Sequence, residues 1–230
     1  MTSKKNWTMR AAVLMLALVL ITSCFVGGTF AKYVTSGSGS DTARVAKFGV
    51  NIGAAADLFS KTYAKDDTSF TLANDTVVSS NDDKLVAPGT KKSIGEFTLT
   101  GTPEVAVRVN YKVDKFSLTN WTTNGTDEYC PLVFTVKGTN YKIGDTGIDT
   151  VDDLETAVKN AIEAVTEDYA ANTDLSGKTA DNLTVSWSWP FSTSDANDIK
   201  DTALGNRAAN DVADAGKVEF TVTMTVTQID

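Results

Sequence analysis

The sequence predicts a mainly β protein: an antiparallel, jelly-roll-like β-sandwich with one inserted amphipathic α-helix, preceded by a cleaved signal peptide. Three observations carry this expectation. First, long stretches alternate apolar and polar residues. Val105, Val107, Val109, Tyr111 and Val113 are interleaved with Ala106, Arg108, Asn110 and Lys112; Leu183, Val185, Trp187, Trp189 and Phe191 with Thr184, Ser186, Ser188 and Pro190. Val218, Phe220, Val222, Met224 and Val226 alternate with Glu219 and a run of threonines. Alternate residues of a strand point to opposite faces, so this period of two predicts strands with one buried face, the antiparallel pattern. Second, turn signals at Pro88-Gly89, Gly101-Thr102-Pro103 and Lys137-Gly138-Thr139-Asn140 separate the apolar runs. Many short strands with such punctuation predict a sandwich or jelly roll. Third, a single segment changes period: Leu154, Val158, Ala161, Ile162, Val165 and Tyr169 fall at helical spacing.

Taken in chain order, residues 1–31 read as a secretory signal. Lys4, Lys5 and Arg10 form a basic region, Ala11 to Val26 an uncharged apolar run, and Thr29 and Ala31 the small residues at which cleavage before Lys32 is expected. Ile21-Thr22-Ser23-Cys24 supports a second processing route, with Cys24 lipidated at the new N-terminus. Residues 32–42 follow as a flexible segment, in which Lys32-Tyr33-Val34-Thr35 runs into Ser36-Gly37-Ser38-Gly39-Ser40. Residues 43–230 form the β-sandwich domain. Its shorter strands are expected at Ala46-Phe48-Val50-Ile52, Phe70-Leu72, Phe97-Leu99 and Leu132-Phe134-Val136. The helical insertion occupies about residues 150–170, with Asp152, Asp153 and Glu155 in its first turn and Asp149 or Thr150 as its cap.

Composition narrows the chemistry. The chain carries 21 Lys+Arg against 29 Asp+Glu, and the leader would take Lys4, Lys5 and Arg10 with it, leaving the exported part more acidic still. Such a chain repels phosphate backbones and anionic lipid, so neither nucleic acid nor a membrane surface is an expected partner; membrane contact is left to the signal peptide or a lipid anchor. Once the leader is removed Cys130 is the sole cysteine, which excludes an internal disulfide. There is no histidine, so two-His zinc proteases and Ser-His-Asp or Cys-His nucleophile systems cannot be built. No catalytic residue and no cofactor is expected, and Cys130 reads as a buried strand residue. Asp195, Asp198 and Asp201, in what reads as a polar loop with Asn197, are weak calcium candidates without the spacing or glycine of a calcium loop. Trp187 and Trp189 share one strand face, which fits a core position better than a carbohydrate platform.

Several motifs carry a resemblance. Gly27-Gly28-Thr29-Phe30-Ala31-Lys32-Tyr33, followed by Ser38-Gly39-Ser40-Asp41-Thr42-Ala43-Arg44-Val45-Ala46-Lys47-Phe48, resembles the N-terminus of the bacterial TasA/camelysin-like secreted proteins. Ala87-Pro88-Gly89-Thr90, Gly101 to Val109, and Trp187-Ser188-Trp189-Pro190-Phe191 with Asp201-Thr202-Ala203-Leu204-Gly205 are similar to a branch of the same group. The resemblance implies processing by a SipW-type signal peptidase, a jelly-roll domain, and a biofilm-matrix or cell-surface protein. It also implies self-association into fibres, with Lys32, Tyr33, Val34 and Thr35 opening a donor strand that adds to the next copy. The protease label attached to camelysin implies an activity for which this chain lacks the histidines.

Overall fold

The computed structural model describes residues 5–26, 44–53, 58–63, 77–81, 83–93, 97–178, 183–191 and 194–229. The chain divides into two compact units, Met1–Arg44 and Val45–Asp230. The first contains α1 (Lys5–Val26), a helix whose Ala-, Leu- and Met-rich middle consists of strong helix formers without proline or glycine. Among the described residues no helix is long and apolar enough to cross a membrane.

The second unit is mainly strand, and every pairing is antiparallel. β1 (Val50–Gly53) pairs with β5 (Thr98–Gly101), and β2 (Thr62–Tyr63) with β3 (Val77–Val78). A four-stranded sheet runs in the order β4 (Lys91–Ser93), β10 (Val185–Ser188), β7 (Val133–Val136), β8 (Thr139–Tyr141). A three-stranded sheet runs β11 (Lys217–Gln228), β6 (Val107–Thr119), β9 (Thr166–Tyr169). The β6–β11 pair extends from Val107 opposite Gln228 to Thr119 opposite Lys217. Thr221 faces Lys115 while Val222 faces Val113, so Asp114 is an extra, bulged residue in β6 and β11 runs unbroken.

One buried cluster joins these elements. Val107, Val109, Tyr111 and Val113 of β6 are all buried, as their alternation requires. Phe116 of β6 meets Phe134 of β7 edge-on at 5.0 Å and Phe220 of β11 at 5.7 Å, so the three- and four-stranded sheets share one core. Trp187, 1 % exposed, packs against Phe59 and Tyr63 and donates its indole N–H to the Leu58 carbonyl at 2.8 Å. The Tyr111 hydroxyl accepts the Leu183 N–H at 3.1 Å. Burying each large apolar side chain contributes about 1.5–3 kcal/mol, so this cluster is the main source of the domain's stability.

The inserted helix, α2 (Val151–Glu163), lays Val151, Leu154, Val158 and Ile162 on this core. Thr150 caps it through a reciprocal box: its hydroxyl accepts the Asp153 N–H while the Asp153 carboxylate accepts the Thr150 N–H.

Four expectations are corrected. The insertion does not stay helical to residue 169: α2 stops at Glu163, Val165 lies in the short connection after it, and Tyr169 belongs to β9, where β-favouring Thr166 and Tyr169 find partners in Val107–Asn110. α2 is also not the lone helix of the domain, because α3 spans Asp195–Asn210. Only Leu204 of α3 is buried, so its sequence shows no apolar stripe. The alternation through Ala46, Phe48, Val50 and Ile52 yields a strand only from Val50, with Phe48 and Ile52 exposed. At that ribbon Gly101 has φ 120° and its missing Cβ would lie 2.0 Å from the Gly49 carbonyl oxygen, so no other residue fits. Phe191 is 61 % exposed, and its ring occupies the space a Cβ on Gly89 would need. Phe70-Leu72 lies outside the described residues.

Candidate functional site

The predicted cleavage residues Thr29, Ala31 and Lys32 and the donor residues Lys32, Tyr33, Val34 and Thr35 lie outside the described residues. Cys24 falls within the last two turns of α1.

The three aspartates proposed for calcium sit on α3 rather than in a loop. Asp195 and Asp198 occupy its first turn, where carboxylates complement the helix dipole. Asp201 turns inward: one carboxylate oxygen accepts the Tyr129 hydroxyl at 2.8 Å and the Trp189 indole N–H at 3.3 Å. Among the described residues no group of three His, Cys, Asp or Glu side chains is placed to hold a metal ion. Asp201 is thus already engaged within the domain, one of its carboxylate oxygens serving two donors.

Around Asp201 the chain builds a polar latch. The turn after β6 folds back on itself, with Tyr129 N–H bonded to the Trp121 carbonyl at 2.8 Å, which sets Trp121 and Tyr129 side by side. Trp121 packs edge-on against Trp189 at 5.5 Å and donates to the Lys217 carbonyl. α3 is fastened to this platform at two places, by Asp201 and by the Arg207 guanidinium, which donates to the carbonyl and hydroxyl oxygens of Thr122. Burial pushes the Asp201 carboxyl above its ordinary range, against the opposing pull of the two donors, and the nearby Asp198 charge adds to the rise. Burial likewise raises the Tyr129 phenol, helped by its bond to Asp201. Lys200 stands over the Tyr129 ring at 5.1 Å from its centroid. These groups hold a helix in place.

Cys130 is buried, and burial first, then the Glu128 and Glu155 charges, push its thiol up to about 12. It is a core residue rather than a nucleophile. Trp187 and Trp189 are both buried and hydrogen-bonded within the domain, which overturns a carbohydrate platform.

The sheet edges distinguish themselves in ways the sequence did not announce. β9 covers only Val107–Asn110 of β6. Beyond it, α2 supplies a substitute: Glu163 accepts the Val113 N–H at 3.0 Å, and Glu155 the Leu118 N–H at 2.5 Å. Two helix carboxylates thus satisfy strand donors that a neighbouring chain would otherwise recruit. The helical pattern revealed the apolar side of α2, and nothing in the spacing of Glu155 and Glu163 marked them as edge caps. No protein-family model, curated protein or solved structure matches this chain.

Proposed function

We propose that this chain is an exported structural protein of the bacterial exterior, a biofilm-matrix or cell-surface component. Its body is read as a jelly-roll-like β-sandwich, and it builds fibres by adding the segment from Lys32 as a strand to the next copy. The observation that carries this reading is the division into a unit holding an apolar helix, Met1–Arg44, and a separately compact β-rich unit, Val45–Asp230. The first unit covers the residues that read as a leader together with the Ser/Gly-rich segment that cleavage before Lys32 would free. The short motifs that resemble those of the TasA/camelysin-like proteins point the same way. A camelysin-type protease is disfavoured by a chain without histidine. A surface lipoprotein is the second reading, supported by the order Ile21-Thr22-Ser23-Cys24.

Sedimentation of the exported protein beside a variant lacking Lys32 to Gly39 tests the assembly step. The intact protein is expected to form large, pelletable species, and the deletion variant to remain folded and small. Identical behaviour of the two would make the segment a tail and remove the fibre reading.

A further inference from the structure

The outer edge of β11 has a geometry of its own, independent of the N-terminal segment. Among the described residues β11 pairs with β6 alone and ends its sheet. Which of its backbone groups face outward follows from three separate hydrogen bonds. Ile229 donates to Ala106 at 2.9 Å, so the odd-numbered residues of β11 point their N–H and C=O groups toward β6. Val113 and Leu118, opposite Val222 and Val218, donate away from β11 to Glu163 and Glu155. All three fix the same parity. Val218, Phe220, Val222, Met224, Val226 and Gln228 therefore turn their backbone donors and acceptors to the free edge.

Among the described residues none of the usual blocks protects that edge. β11 contains no proline or glycine, its bulge is in the partner strand, and its charges are confined to Lys217 and Glu219 at one end. The other ends of the three- and four-stranded sheets are short: β9 has four residues and β4 and β8 three each, β4 carries two lysines, and α2 caps the part of β6 that β9 leaves open. The inward side chains of β11 also remain incompletely covered. Val218, Phe220, Val222 and Val226 are only half-buried although they face the core, and among the described residues no strand lies beyond them.

We propose that two copies of this chain join through β11, antiparallel, about a two-fold axis at Thr223. One register pairs all six outward-facing residues of each strand: Val218 with the second copy's Gln228, Phe220 with its Val226, and Val222 with its Met224. The intervening residues then form the close, non-hydrogen-bonded pairs, Thr223 opposite Thr223, Thr221 opposite Thr225 and Glu219 opposite Thr227. No charged side chain meets a like charge, and threonine is a favoured cross-strand neighbour of threonine. The two three-stranded sheets become one sheet of six, and the half-exposed row from Val218 to Val226 gains cover from its own counterpart. Such an isologous contact closes on itself as a dimer. It neither requires nor produces a fibre, so it stands or falls apart from the donor-strand reading.

Cysteine cross-linking reads the register directly. The α-carbons of a non-hydrogen-bonded antiparallel pair lie about 4.5 Å apart, within disulfide reach. Under mild oxidation the exported Thr223→Cys protein is expected to become a covalent dimer on a non-reducing gel and to revert with thiol. Thr225→Cys, whose neighbour is threonine, and the parent, whose Cys130 is buried, are expected to stay single. Adding Val226→Pro to Thr223→Cys should abolish the cross-link while leaving the circular dichroism spectrum unchanged, because the lost N–H points outward and the ladder to β6 is untouched. Failure of Thr223→Cys to cross-link, equal cross-linking of Thr225→Cys, or persistence of the link with Val226→Pro would each overturn the proposal.

Discussion

Asp201→Ala and Asp201→Asn separate the two things Asp201 does, accept hydrogen bonds and carry charge. Its oxygen receives the Tyr129 hydroxyl and the Trp189 indole N–H, both part-buried. Truncation to alanine leaves those donors without an acceptor, at a cost of about 1–3 kcal/mol. For a domain of this size each kcal/mol lowers Tm by about 2–4 °C. Asparagine keeps an oxygen in place, so its loss should be well below that of alanine. The pH dependence has a definite sign. Because burial raises the folded-state carboxyl, its proton is held more tightly folded than unfolded. The associated stabilisation is present in acid, below the unfolded value, and is lost as pH rises through the raised value. At neutral pH Asp201→Asn should therefore equal or slightly exceed the parent in Tm, and this relative advantage should shrink on acidification toward pH 4. Thermal melts of the three proteins across that range provide the assay. An Asp201→Asn variant as unstable as Asp201→Ala at neutral pH, or an advantage that grows in acid, would refute the latch argument.

Three further outcomes follow from the sequence and the packing. Intact-mass measurement of the exported protein should give an N-terminus at Lys32; a chain starting at lipid-modified Cys24 would place it among surface lipoproteins. Cys130 should resist a thiol reagent at neutral pH in the native state and react on unfolding, because burial excludes the reagent and disfavours the thiolate. Leu154→Ala, which empties a fully buried site under α2, should cost about 2–5 kcal/mol by chemical denaturation, whereas Thr150→Ala, which removes the cap, should cost about 1 kcal/mol.

Legibility in the sequence tracked how each element is stabilised. β6 and β10 were readable because alternate side chains go to a buried face, and Val107, Val109, Leu183 and Trp187 are where the period puts them. α2 was readable through its stripe and its Thr150 cap, although the stripe carried on into β9: Tyr169 continues a helical spacing that strand pairing with β6 overrides. α3 escaped because it is fastened by two polar contacts, from Asp201 and Arg207, and polar contacts leave no periodicity. The same aspartates then read as a loop with metal-like oxygens. Edge chemistry was invisible for a different reason. Whether Val113 or Leu118 has a neighbour depends on where β9 ends and where α2 lies, and no local pattern encodes that. The alternation of β11 identified a strand but not that, among the described residues, it is the last of its sheet.

The claim that this is a structural protein of the cell exterior is tested most directly by negative-stain electron microscopy of the protein recovered from the culture medium. The account predicts filaments formed from a processed chain starting at Lys32. Uniform single particles at every concentration, with no filaments after prolonged incubation, would contradict it.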